Sequence, residues 1–191
     1  SLATVCGYAL QQSLTGLEFA WGIPGSIGGA AFMNAGAYGE EMKDVVLSCT
    51  HMNPDGTIET FTAEQLDFAY RHSVYQKSHG IVLSVAFQLQ KGDKQEIKAK
   101  MDDLMGRRKE KQPLEYPSAG SVFKRPVGYF AGTMIEQCGL KGKTVGGAMV
   151  SPKHAGFIVN TGDATCQDVL DLISLIQTTV KEQTGIMLEC E

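Results

Sequence analysis

Apolar positions Leu2, Val5, Ala9 and Leu10 share one helical face, which predicts a helix over 2–14 that ends at Thr15-Gly16. Strands are predicted over 45–52 and 57–61. Asn53-Pro54-Asp55-Gly56 lies between them as a turn, with Pro fixing φ and Gly supplying φ > 0, so the pair reads as a hairpin. Ile81, Leu83, Val85, Phe87 and Leu89 alternate with smaller or polar residues, which predicts a strand with one buried face. Lys91-Gly92-Asp93 breaks the pattern and places a domain boundary there, giving parts 1–91 and 92–191.

The second part opens with a helix over 94–109, carrying Ile97, Met101, Leu104 and Met105 at helical spacing. Loop residues around Pro113 and Pro117 lead to a short helix over 131–138 that Gly139 stops. Strands are expected over 145–150 and 156–160. An amphipathic helix over 168–183 turns Leu172, Ile173, Ile176 and Val180 inward, and residues 187–191 begin a final strand. Helices and strands in this order give an α+β layout, not a doubly wound parallel sheet.

Composition agrees with a soluble globular chain of 191 residues, 43% apolar and 20% charged. The net charge of −4 argues against a nucleic-acid binder, which needs a clustered positive surface. Cys6, Cys49, Cys138, Cys166 and Cys190 form no C-x-x-C pair, so neither a disulfide framework nor a zinc site is expected. His51, His72, His79 and His154 show no ligand spacing, which sets metal catalysis aside. No apolar run reaches membrane-spanning length. The chain opens at Ser1 without an initiator Met, already inside a helical pattern, and is expected to be a piece of a longer one.

Glycine recurs at Gly22, Gly25, Gly28, Gly29, Gly36 and Gly39, a density unsuited to an ordinary helix. A phosphate cradle of backbone N–H groups and close helix–sheet packing both explain it, and neither the P-loop nor the G-x-G-x-x-G pattern is present. Arg71 in Tyr70-Arg71-His72-Ser73 suits bidentate capture of a carboxylate, or equally a surface ion pair. Ser121 is followed by Lys124 and Arg125. Cations beside a hydroxyl ease proton loss or hold a diphosphate, while the plainer reading is a turn serine before a strand. Glu189 and Glu191 fall on one side of a strand, where most glutamates are simply solvated.

The blocks from Gly22 to Ala30, Asn34 to Gly39, Tyr70-Arg71, Ala119 to Pro126, Gly139 to Gly142, Gly146-Gly147 and His154 to Phe157 together resemble the UDP-N-acetylenolpyruvoylglucosamine reductase (MurB) family, in its order and spacing. The chain is similar to the family's compact subtype. The resemblance implies the second part of an FAD-binding domain of the vanillyl-alcohol-oxidase (PCMH-like) kind, followed by the family's C-terminal α+β substrate domain. It also implies that the N-terminal flavin lobe lies upstream of Ser1. The implied activity is reduction of UDP-N-acetylglucosamine enolpyruvate to UDP-N-acetylmuramate, with FAD recharged by NADPH, for cell-wall precursor synthesis in the bacterial cytoplasm.

In that frame Arg71, Ser121 and Glu191 are the catalytic candidates. Arg71 holds the carboxylate and the developing enolate, Glu191 assists, and Ser121 gives the proton with Lys124 as its candidate helper. Gly22, Ile23, Pro24, Gly25, Ser26, Gly28, Gly29, Asn34, Gly36, Ala37 and Tyr70 are the cofactor candidates. Lys124, Arg125 and His154 match positions near the UDP-sugar diphosphate. A non-catalytic UDP-sugar-binding module is the alternative.

Overall fold

A computed structural model describes residues 1–191, apart from the Ala119 side chain. Ser1 caps helix α1 (Leu2–Gln11), its side chain accepting from the Thr4 amide at 3.2 Å. The helix buries Leu2, Cys6 and Ala9, one per turn on one face. Next comes the short helix α2 (Ile27–Phe32), so the glycine-rich segment does contain helix, with Ser26 as its cap. The helix packs on the sheet at Gly28, where a Cβ would make ordinary contact with the Val82 side chain at 3.5 Å.

Strands β1 (Val46–Met52) and β2 (Ile58–Thr62) form the expected hairpin. Its turn closes through Asn53 N–H donating to Thr57 O at 2.8 Å, with Gly56 at φ 87°. Strand β3 (Ile81–Phe87) pairs on the other side of β1, giving the order β2-β1-β3, all antiparallel. One expectation fails here. Ile81 and Leu83 are more than half exposed, while Val82, Val85 and Phe87 pack on the core. The register slips between Thr50–Ser84 and His51–Val82, and a one-residue slip exchanges the two faces of a strand.

The boundary expected at residue 91 also moves. Helix α4 (Lys94–Lys111), which follows the single turn α3 (Tyr75–Ser78), drives Ile97 and Met101 into the same core as α1 and the first sheet. The chain therefore divides into Ser1–Arg108 and Lys109–Glu191. Among the described residues no helix is long and apolar enough to cross a membrane.

The second unit has an antiparallel sheet in the order β4-β7-β6-β5: β4 (Ser118–Ser121), β5 (Thr144–Val145), β6 (Ala148–Val150) and β7 (Phe157–Asn160). The single strand expected over 145–150 is instead a tight hairpin. Gly146-Gly147 reverse the chain, with Gly146 at φ 51°, so that Ala148 pairs with Val145. Helix α5 (Ala131–Gln137) and helix α6 (Cys166–Thr184) cover the sheet, with Ile135, Leu172, Ile176 and Val180 fully buried. Gly185 at φ 77° stops α6 as expected. The final segment lies beside 122–124 through a single bridge, Phe123 to Cys190, and anchors on the buried Leu188.

Thr165 and Asp168 form a reciprocal capping box on α6. The Thr165 amide donates to Asp168 at 2.9 Å and holds its carboxyl below the ordinary value of 3.8. A depressed carboxyl stabilises the fold above its unfolded pKa and loses that contribution as pH falls through the folded one. Asp168→Asn is therefore expected to lower the thermal midpoint at neutral pH. Its gap to the parent should begin to close as pH falls through 3.8 and vanish at more acid pH. A gap that persists in strong acid would refute the capping charge as its cause.

Candidate functional site

Pro24, Gly25 and Ser26 lie exposed on the loop before α2. Gly25 has φ 137°, and a Cβ built there meets nothing within 4 Å, so the loop borders open space. The Gly25 carbonyl is turned inward and accepts from the Leu2 amide at 3.0 Å. Gly29 is likewise exposed and would meet only Ser26 Oγ, at 3.3 Å. This stretch fits a backbone cradle for an elongated anion such as the diphosphate of FAD.

Other cofactor candidates have different surroundings. Gly22 is a packing position: a Cβ would lie 2.6 Å from Met105 Cε, and Ile23 packs against the first core. Gly36 and Ala37 pair with Glu41 and Glu40, and a Gly36 Cβ would strike Glu40 O at 2.8 Å. Asn34 is fully buried with its amide committed internally. Its Nδ2 donates to Glu41 Oε2 at 3.0 Å and to Ala69 O at 2.9 Å, and its Oδ1 accepts from the Lys43 amide at 2.9 Å.

Tyr70 and Arg71 form the tip of a tight turn. Ala69 and His72 exchange both backbone hydrogen bonds, at 3.2 and 3.0 Å. Arg71 sits at φ 51°, the left-handed region, which costs a non-glycine residue about 1–2 kcal/mol. Its Nη2 donates to Gly36 O at 3.3 Å, and its guanidinium stands 5.0 Å over the exposed Tyr70 ring. A strained arginine at a turn tip is a feature of functional sites. Gln76 belongs to this arrangement, yet nothing in the sequence marks it. Its Nε2 donates to Arg71 O at 2.9 Å, and its Oε1 faces His72 Nδ1 at 3.0 Å.

In the second unit Ser121 is exposed at the end of β4, opposite Phe157. Val122 N–H donates to Gly156 O at 2.9 Å, which fixes the strand beside it. A Cβ on Gly156 would lie 3.5 Å from Ser121 Oγ and 3.0 Å from His154 Cε1, so glycine lets these two candidates flank it. His154 Nδ1 accepts from the Gly156 amide at 3.1 Å, which puts the proton of the neutral ring on Nε2. Burial pushes the His154 pKa below its ordinary 6.5. Neutral His154 therefore offers a partner one N–H donor, not a full charge.

Lys124 and Arg125 point to other neighbours. Lys124 Nζ lies 3.7 Å from Glu189 Oε2, and Arg125 stands 4.3 Å over the Phe130 ring. Glu191 is exposed and tied by its amide to Val122 O at 2.8 Å.

The open glycine loop and the Arg71 turn belong to the first unit and the serine–histidine sheet edge to the second, and the profiles that match each unit define the class as an FAD-binding oxidoreductase. Residues 3–62 match the profile of an FAD binding domain. Residues 112–191 match that of the UDP-N-acetylenolpyruvoylglucosamine reductase C-terminal domain. The reductase of that name from Limosilactobacillus reuteri is 60% identical over 96% of this chain and 61% of its own length. That from Geobacillus thermodenitrificans is 56% identical over 100% of the chain and 62% of its own. The crystal structure of the Thermus caldophilus enzyme aligns with a TM-score of 0.87 at 38% identity, covering all of this chain and 68% of that one. The chain belongs to the UDP-N-acetylenolpyruvoylglucosamine reductase family. It spans 61–62% of the length of these two curated relatives.

Proposed function

We propose that this chain supplies the substrate-binding part and part of the flavin-binding part of an enzyme that reduces UDP-N-acetylglucosamine enolpyruvate to UDP-N-acetylmuramate. It would work in the bacterial cytoplasm, and its product would feed peptidoglycan synthesis and so cell shape and division. FAD, recharged by NADPH, supplies the hydride when bound. The observation that carries the reading is the chain-long identity to reductases of this name, joined to an arginine held at a strained turn tip.

Hydride addition to the terminal methylene carbon leaves negative charge on the carbon that bears the carboxylate. That charge spreads into the carboxylate as an enolate. Arg71 binds the carboxylate and stabilises the enolate as it forms, which is differential stabilisation of the transition state. Glu191 orients that group. Ser121 gives its proton to the carbanionic carbon and regains one from solvent or a neighbour. Lys124, Arg125 and His154 hold the diphosphate, His154 as a neutral donor. The Pro24–Ser26 stretch and Gly29 run along the FAD diphosphate, with Tyr70 nearby.

The test is FAD titration into the chain, followed by NADPH oxidation with and without the enolpyruvyl substrate. Oxidation that depends on the substrate is expected once flavin is bound. Flavin bound with no substrate dependence would overturn the reading. A second reading, a UDP-sugar-binding module without turnover, is favoured by one observation: the C-terminal profile falls within a compact unit of its own. It predicts saturable binding of UDP-N-acetylglucosamine that weakens in Arg125→Ala, with no flavin uptake.

A further inference from the structure

The Arg71 turn poses a problem that its own residues do not solve. A left-handed residue at the third position of a tight turn is the natural place for glycine or asparagine, because a Cβ strains it. Arginine there has to be held by its surroundings. Two side chains from outside the turn contact the backbone on either side of the guanidinium. Asn34, fully buried, donates to Ala69 O at 2.9 Å. Gln76, from α3, donates to Arg71 O itself at 2.9 Å.

The Gln76 amide cannot be reversed without loss. With its nitrogen on the Arg71 carbonyl, its oxygen faces His72 Nδ1 at 3.0 Å, which requires the proton on Nδ1. Flipping the amide would put an oxygen against the Arg71 carbonyl oxygen. His72 Nε2 in turn lies 3.2 Å from Asp67 Oδ2, a carboxylate oxygen that only accepts, so the chain of hydrogen bonds extends to Asp67 only when both ring nitrogens carry protons. The donor meets the Arg71 carbonyl in the closed turn, where Ala69 and His72 are bridged.

We propose that Gln76, supported by Asn34, is a positioning residue. It holds Arg71 in the left-handed conformation and so presents the guanidinium to the substrate carboxylate. Gln76 itself does not touch the substrate. The carboxylate role of Arg71 rests on the function proposed above, while the conformational role of Gln76 stands on the turn alone.

The test uses the 191-residue chain with FAD added, comparing UDP-N-acetylmuramate, which bears the carboxylate, with UDP-N-acetylglucosamine, which lacks it. Gln76→Met keeps the length of the side chain and loses the donor. It is expected to reduce the affinity advantage of the acid by about tenfold, the scale of one charge-assisted hydrogen bond, and to leave UDP-N-acetylglucosamine binding unchanged. Backbone carbon and nitrogen shifts of Arg71 should lose their positive-φ signature in the same variant. Gln76→Met combined with Arg71→Ala should be no worse than Arg71→Ala alone.

If Arg71→Ala leaves the advantage of the acid intact, or the parent chain shows none, the carboxylate reading itself is wrong. If Arg71→Ala abolishes it while Gln76→Met preserves both the advantage and the Arg71 shifts, that reading stands and the positioning role is overturned. Equal weakening of both ligands by Gln76→Met would mark a general packing role and likewise overturn it. Asn34→Ala, at a fully buried position, risks unfolding, whereas Gln76 is only partly buried.

Discussion

Gly147→Ala is expected to destabilise the second unit by about 3 kcal/mol, near the upper end for overpacking. A Cβ at this position would stand 2.4 Å from Gly162 O, 2.5 Å from Ala164 N and 2.7 Å from Ala164 Cα. All three are backbone atoms, so no rotamer change relieves the clash. The opposing loop is also pinned. Asn160 Oδ1 accepts from the amides of Gly162 and Ala164 at 2.9 and 3.2 Å, and Thr161 donates to Gly147 O through both its amide and its hydroxyl. Moving the loop away would break several of these bonds together. Gly142→Ala is the control. Its φ is positive, 74°, as that of Gly147 is not, and its Cβ would meet nothing within 4 Å, so backbone strain of about 1–2 kcal/mol applies there without any clash. Urea denaturation followed through the helical signal of the second unit should separate the two variants clearly. Equal midpoints would mean that the Gly146-Gly147 hairpin is not packed as found.

That hairpin also shows where sequence reading stops. Two glycines between apolar residues look like a strand interior until Ala148 is seen folded back on Val145. Periodicity marks an apolar run and is blind to a reversal inside it. Strand β3 fails in a related way. The alternation from Ile81 to Phe87 is genuine, but a register slip at Leu83 exchanges its faces halfway, and a bulge leaves no mark in a hydropathy pattern. The stripe Ile97, Met101, Leu104 correctly predicts an amphipathic α4. It cannot say which core receives the stripe: Ile97 and Met101 join the first core, and the compact units divide between Arg108 and Lys109. What was legible had a local cause: the Asn53–Gly56 turn, the Gly139 and Gly185 helix stops, and the inward face of α6. Within the candidate site, the blocks around Arg71 and Ser121 stand out through their resemblance to the reductase family. The wiring beneath them does not, because Asn34 reaches Ala69 across thirty-five positions of chain.

The remaining large effect belongs to Ser121. On the proposed function, Ser121→Ala removes the proton donor for the carbanionic carbon and is expected to slow substrate reduction by about 10²–10⁴-fold in the FAD-loaded enzyme. Reduction of the flavin by NADPH should proceed at the parent rate, because the serine takes no part in that half of the cycle. Stopped-flow measurement of the two half-reactions separates them. The variant should fold normally: Ser121 is exposed at the end of β4, and the neighbouring Val122–Gly156 and Glu191–Val122 backbone bonds do not involve its hydroxyl. The sheet edge also defines the competing outcome. Across Gly156, His154 keeps its proton on Nε2 because Nδ1 is occupied by the Gly156 amide. Should Ser121→Ala retain substrate reduction within a few-fold of the parent, the serine is not the donor, and His154 is the nearest alternative to examine. A histidine whose pKa burial pushes below 6.5 would then impose a fall in rate at acid pH if the neutral ring is needed, or a rise if the charged ring is the donor. The serine hydroxyl, which does not titrate in that range, imposes neither, so the pH profile of the half-reaction identifies which of the two side chains moves the proton.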